Sequence, residues 1–122
     1  MTGNPYSAYL KNSDNINSKE ELLIKAYEEI LSLLNISSMA IDEGDIKTKA
    51  ESISKVTSAI SLLKASLDLE KGGKIAETLD RLYDFCLEEL LIANLNNDKE
   101  KINGVIEVLK PVYEGFKEAF RG

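Results

Sequence analysis

From residue 18 onward the chain carries four blocks of apolar residues spaced three and four apart, the period of a helix packed on one side. The first runs through Leu23, Ala26, Tyr27, Ile30, Leu34 and Ile41, and the second through Ile46, Ala50, Ile53, Thr57, Ile60, Leu63 and Leu67. Ile75, Leu79, Leu82, Tyr83, Cys86, Leu90 and Ala93 make the third. Ile102, Val105, Ile106, Leu109, Val112, Tyr113, Phe116 and Phe120 make the fourth. Only two prolines interrupt 122 residues rich in Leu, Ile, Ala, Glu and Lys, a composition that favours helix.

The residues between the blocks are helix punctuation. Ser18-Lys19-Glu20-Glu21 reads as a capping box opening the first helix. Gly44 suits the left-handed end of that helix, and Asp45 can cap the next at once. Lys71-Gly72-Gly73-Lys74 breaks the period and predicts a turn, and the Asn-rich segment 94–97 ends the third helix before Asp98 caps the fourth. Pro111 sits inside the last block, where it removes a backbone hydrogen bond and predicts a kink. Helices of about 20 to 26 residues would span roughly 30 to 39 Å, and short connections make neighbours antiparallel. The predicted fold is all-α: an up-down-up-down four-helix bundle over residues 18–122. Residues 1–17 form an arm, with Asn4 and Pro5 starting a short helix over residues 5–11 that carries Tyr6, Tyr9 and Leu10, and a loop over 13–17. Such an arm is too short to hold itself folded, so it docks on the body or stays mobile.

The same residues exclude most chemistry. With no histidine there is no Ser-His or Cys-His nucleophile pair, no usual zinc site and no Glu-x-x-His iron motif. Cys86 lies on an apolar stripe and reads as a buried thiol. Glu20/Glu21, Glu28/Glu29 and Glu88/Glu89 are adjacent on their helices, so each pair diverges instead of converging on a substrate. Gly72-Gly73 lacks the strand and Lys-Ser/Thr of a phosphate loop and reads as a turn. No enzyme activity, cofactor or metal is predicted. The formal charge of −6 and the lack of a basic cluster argue against nucleic acid; the nearest stripe, Lys47, Lys49 and Lys55, is broken by Glu51. No apolar run reaches membrane-spanning length, and the N-terminus lacks a signal-peptide layout. A lone cysteine fits the cytoplasm.

What remains is apolar surface beyond the four stripes. Leu62 and Leu69 lie roughly opposite the second stripe, among Ser58, Ala59, Ala65 and Ser66, giving a small, nearly uncharged face of the kind that receives a helix. Phe85 and Ile92 stand two turns apart and off the third stripe, while the fourth helix shows no second face. The alternative is that these residues widen the core or receive the arm. The predicted partner-binding set is Tyr6, Tyr9, Leu10, Leu62, Ala65, Ser66, Leu69, Phe85 and Ile92.

Several of these segments resemble the FliS family of flagellar export chaperones. The segment Ser66-Leu67-Asp68-Leu69-Glu70-Lys71-Gly72-Gly73-Lys74-Ile75-Ala76 is similar to the family's Leu-Asp-x-Glu-x-Gly-Gly-x-Ile-Ala signature. Leu82-Tyr83-Asp84-Phe85, Ala93-Asn94-Leu95-Asn96-Asn97-Asp98, Asn4-Pro5-Tyr6 and Ala8-Tyr9 continue the likeness across nearly the whole chain. Thr78, Phe85 and Phe116 depart from the commoner Asn, Tyr and Trp, and Pro111 is outside the pattern. The resemblance implies a cytoplasmic chaperone that clasps the disordered C-terminal segment of flagellin, blocks premature polymerisation and keeps the client fit for type III export. It also implies contact with export-apparatus components. The alternative is a bundle adaptor for another secretion or regulatory protein.

Overall fold

The computed structural model describes residues 15–121, with side chains described from 19 to 120. Among them stand α1 (Asn15–Glu43), α2 (Ile46–Ala65), α3 (Gly73–Asn96) and α4 (Lys99–Arg121), with no strand. Each helix packs on its neighbours in sequence and α1 also packs on α4, while α1 reaches α3 across the centre through the Tyr27–Tyr83 hydrogen bond. That closed ring is the up-down-up-down bundle predicted from the stripes.

Capping chemistry accounts for most of the boundaries. Gly44 takes φ 72° after α1, and the Asp45 carboxylate accepts the Thr48 N–H at 3.1 Å to open α2. That hydrogen bond holds the Asp45 carboxyl below the usual carboxylate range. Asn97 closes α3 in the left-handed region at φ 53°, and Asp98 accepts the Glu100 N–H at 3.0 Å at the start of α4. α4 continues through Pro111 for 23 residues in all.

Two boundaries differ from expectation. α1 begins at Asn15, so Ser18 is inside the helix and residues 15–17, expected as loop, are helical. The expected arm helix over residues 5–11, with Tyr6, Tyr9 and Leu10, lies outside the described residues. α2 stops at Ala65, well short of the Gly-Gly turn. There the Ser66 hydroxyl donates to the Leu63 carbonyl at 2.8 Å, Asp68 Oδ1 accepts the Lys71 N–H, and the Asp68 carbonyl accepts the Gly72 N–H at 2.7 Å. Ser and Asp side chains that bond nearby backbone offer the chain an alternative to helix. The connection therefore covers residues 66–72, and Leu69 belongs to it and not to α2.

The core follows the stripes. Tyr27, Ile30, Leu34, Ile53, Ile60, Tyr83, Cys86, Leu90, Ile102, Val105 and Leu109 are buried, together with Val56, which the stripes omit. Each large aliphatic side chain there contributes about 1.5 to 3 kcal/mol before ordering costs. Phe116 meets Tyr27 edge-on, with ring centres 5.6 Å apart. Two stripe residues are corrected: Ile46 and Ile75 are exposed, since each starts its helix and reaches past the partner that would cover it.

Candidate functional site

Among the described residues no group of three or more Cys, Asp or Glu side chains converges to hold a metal, and no helix is long and apolar enough to cross a membrane. A cleft of about 570 Å³ lies between the start of α1 and the end of α4, lined by Ile24, Phe120, two lysines and three glutamates. It contains no nucleophile paired with a base. Burial pushes the Cys86 thiol up to about 12, which leaves it protonated and unreactive.

The apolar surface is more telling. Two cross-links fix the register of α3 against α2. Near the 66–72 connection the Lys64 ammonium meets Asp80 at 3.1 Å and Asp84 at 3.5 Å. Asp80 holds that ammonium above its ordinary value. At the opposite end the Lys49 ammonium donates to the Asn94 carbonyl at 2.8 Å and to Asn97 Oδ1 at 2.5 Å. Counting inward from both, Leu62 stands level with Tyr83 and Asp84, and Ile92 level with Ile53, roughly 13 Å further along the bundle.

Leu62 is 72% exposed and points away from the core, with Ala65 and Ser66 also exposed beside it and Leu69, 50% exposed, just beyond in the connection. All four are exposed, Leu69 from the connection and not from α2. Phe85 (44% exposed) and the half-buried Ile92 do not join them. They lie four residues before and three residues after Glu89, on one line of the helix. Glu89 pairs with Lys101 of α4 at 3.3 Å, so Phe85 and Ile92 face the α3–α4 seam. What the sequence suggests as one groove along the second and third helices is therefore two separate apolar strips.

The α2–α3 seam carries two apolar residues that the stripes passed over, Leu91 and Leu95. Leu91 lies two turns beyond Asp84, the residue bridged to Lys64, and so faces α2. Leu95 follows one turn later, 73% exposed, and Ile46 lies one turn before Lys49. Leu91 next to Leu90 and Leu95 after Ala93 read as a continuation of the core stripe. The signal available was their offset of one or two positions from it. As expected, α4 contributes no large exposed apolar side chain.

A ring of four helices in this order is an architecture met before. The profile described as "Flagellar protein FliS" matches residues 2–122, all but the first residue of the chain. The chain belongs to the FliS family. It is 35% identical to the flagellar secretion chaperone FliS of Campylobacter jejuni over 113 residues, 93% of this chain and 88% of that one. Against the FliS of Salmonella typhimurium identity is 37% over 102 residues, covering 83% and 76% of the two chains. The FliS of Bacillus subtilis is 26% identical over 97% of this chain and 84% of its own. A crystal structure of a bacterial flagellar chaperone superposes with a TM-score of 0.81 over 95% of this chain and 94% of that one, at 16% identity, and so shares the fold. FliS is a family of flagellar secretion chaperones and not of enzymes. In that light the exposed strips on α2 and α3 are candidate surfaces for an export client.

Proposed function

We propose that the client is the C-terminal segment of flagellin, which this chain binds in the cytoplasm, keeping it from polymerising early and fit for export. The observation that carries this reading is the exposed apolar surface of α2, α3 and their connection, at Leu62, Leu69, Phe85, Leu91 and Leu95, in a chain of the FliS family. An amphipathic segment laying apolar residues along these strips would gain burial that offsets the entropy of its ordering, with no need of ATP or a metal. Two strips on different sides of α3 fit a client that wraps the bundle with more than one helical stretch. Ala65, Ser66 and Ile92 border these strips, and Tyr6, Tyr9 and Leu10 belong to the proposed client-contacting set.

Titrating a flagellin C-terminal peptide into the protein, with heat and circular dichroism followed together, tests the reading. Binding with added helix is expected; neither heat nor new helix at tens of micromolar would rule flagellin out as client and favour an adaptor for another protein. Removing residues 1–12 tests the arm. A changed Kd at an unchanged thermal midpoint supports its residues as contacts, and an equal Kd removes them from the set.

A further inference from the structure

Lys49 is 5% exposed, yet no carboxylate lies within ion-pair distance of its ammonium among the described residues. Its partners are two uncharged oxygens at the end of α3, the Asn94 carbonyl and Asn97 Oδ1. A buried ammonium without a counter-charge is costly, and an apolar side chain of similar length at such a site is often as stable or more so. The helix end offsets part of that cost, because the last carbonyls of α3 present negative partial charge. What the ammonium adds is geometry. Asn97 is the one described non-glycine residue with positive φ, and its N–H and that of Asp98 both return to the Ala93 carbonyl. Lys49 thus ties α2 to the residue on which the chain reverses into α4. Leu91 lies one turn before Asn94, Leu95 follows it directly, and Ile46 lies one turn before Lys49.

We infer that Lys49 is a positioning residue for client binding: its bonds to Asn94 and Asn97 set the end of α3 against α2 so that Leu91 and Leu95 are presented at the spacing the client helix needs. This rests on the reading of the α2–α3 seam as a client surface. It assigns Lys49 to recognition although its side chain is covered and touches no client.

Lys49→Met keeps the stem and removes the ammonium, while water can reach the exposed Asn97 left behind. The variant is expected to hold its thermal midpoint within a few degrees, to exchange the amides of residues 94–98 faster, and to bind the flagellin peptide roughly tenfold more weakly. Leu95→Ser is expected to weaken binding on the unaltered background about tenfold but to add less than about threefold on Lys49→Met, since side chains acting through one another are not additive. Binding by Lys49→Met equal to the unaltered chain, or losses that multiply in the double variant, overturns the inference. Should Lys49→Met fail to fold, Asn97→Gly removes the acceptor and keeps the left-handed backbone; about threefold weaker binding is expected, and unchanged binding overturns the inference. No binding by the unaltered chain defeats the flagellin reading instead. The clasp is then judged by exchange alone, and unchanged protection of residues 94–98 in Lys49→Met overturns it.

Discussion

Tyr27 and Tyr83 bring two phenols into the centre of the core, where their oxygens lie 2.6 Å apart and one hydrogen bond joins them. Among the described residues each hydroxyl is satisfied only through the other. Tyr27→Phe or Tyr83→Phe alone should cost about 1 to 3 kcal/mol, since the surviving hydroxyl is left unpartnered and buried. The double Phe variant should recover much of that loss, and urea unfolding of all four proteins checks the cycle. The same burial makes the core sensitive to base. Burial raises the Tyr27 and Tyr83 phenols above their ordinary value near 10, and Cys86 from 9 to about 12. Each group stays protonated in the fold when it would ionise in the unfolded chain. Its contribution is whole below the unfolded pKa and is lost as pH rises beyond it. Stability is therefore expected to fall above pH 9 to 10, each group withdrawing about 1.4 kcal/mol per pH unit. Chemical denaturation at pH 8, 10 and 11 measures the slope, and a flat profile would contradict the buried pair.

At the scale of elements the 66–72 connection is the most exacting piece. Gly72 closes it so tightly that an added Cβ would stand 2.5 Å from the Ala76 Cβ and 2.7 Å from the Asp68 carbonyl oxygen. Neither neighbour is the far end of a flexible chain. Gly73 has open space around it but sits at φ 58°. Gly72→Ala is accordingly expected to destabilise by more than Gly73→Ala, whose left-handed strain is worth about 1 to 2 kcal/mol. Thermal melts of the two variants rank them. If Gly72→Ala melts with the unaltered protein, the close approach is wrong. The family signature and the turn thus have one cause: two successive glycines, the first for clearance and the second for backbone angle.

For the whole molecule the ring of four helices leaves its outer faces to partners, and Leu62 is the clearest test. Its side chain is largely in solvent, so Leu62→Glu should leave the melting temperature within about a degree or two while weakening client binding. Ile92→Glu, at a half-buried position, should lower both. Melting curves and one affinity for each variant separate surface from core. An unfolded Leu62→Glu would assign that position to the core.

The helices, their order and most of the core were legible in the sequence because their causes are local. A stripe at helical spacing marks the buried side, and Gly44, Asp45, Asn97 and Asp98 end or start helices through bonds to residues a few positions away. Where the stripes ran out, packing decided. Ile46 and Ile75 continue the pattern yet lie beyond the helix that would cover them. Leu91 and Leu95 look like core from their neighbours, and only the pairing of Asp84 with Lys64 shows the seam they face. Phe85 and Leu62, both apolar and off the stripe, fall on different sides because Glu89 turns one toward α4. Lys49 reads as part of a broken surface stripe with Lys47 and Lys55. It is buried because the end of α3, 45 residues away in the chain, brings a carbonyl and an amide oxygen to its ammonium. Periodicity tells which side of a helix avoids water; which neighbour meets each remaining side depends on long-range contacts that no local spacing encodes.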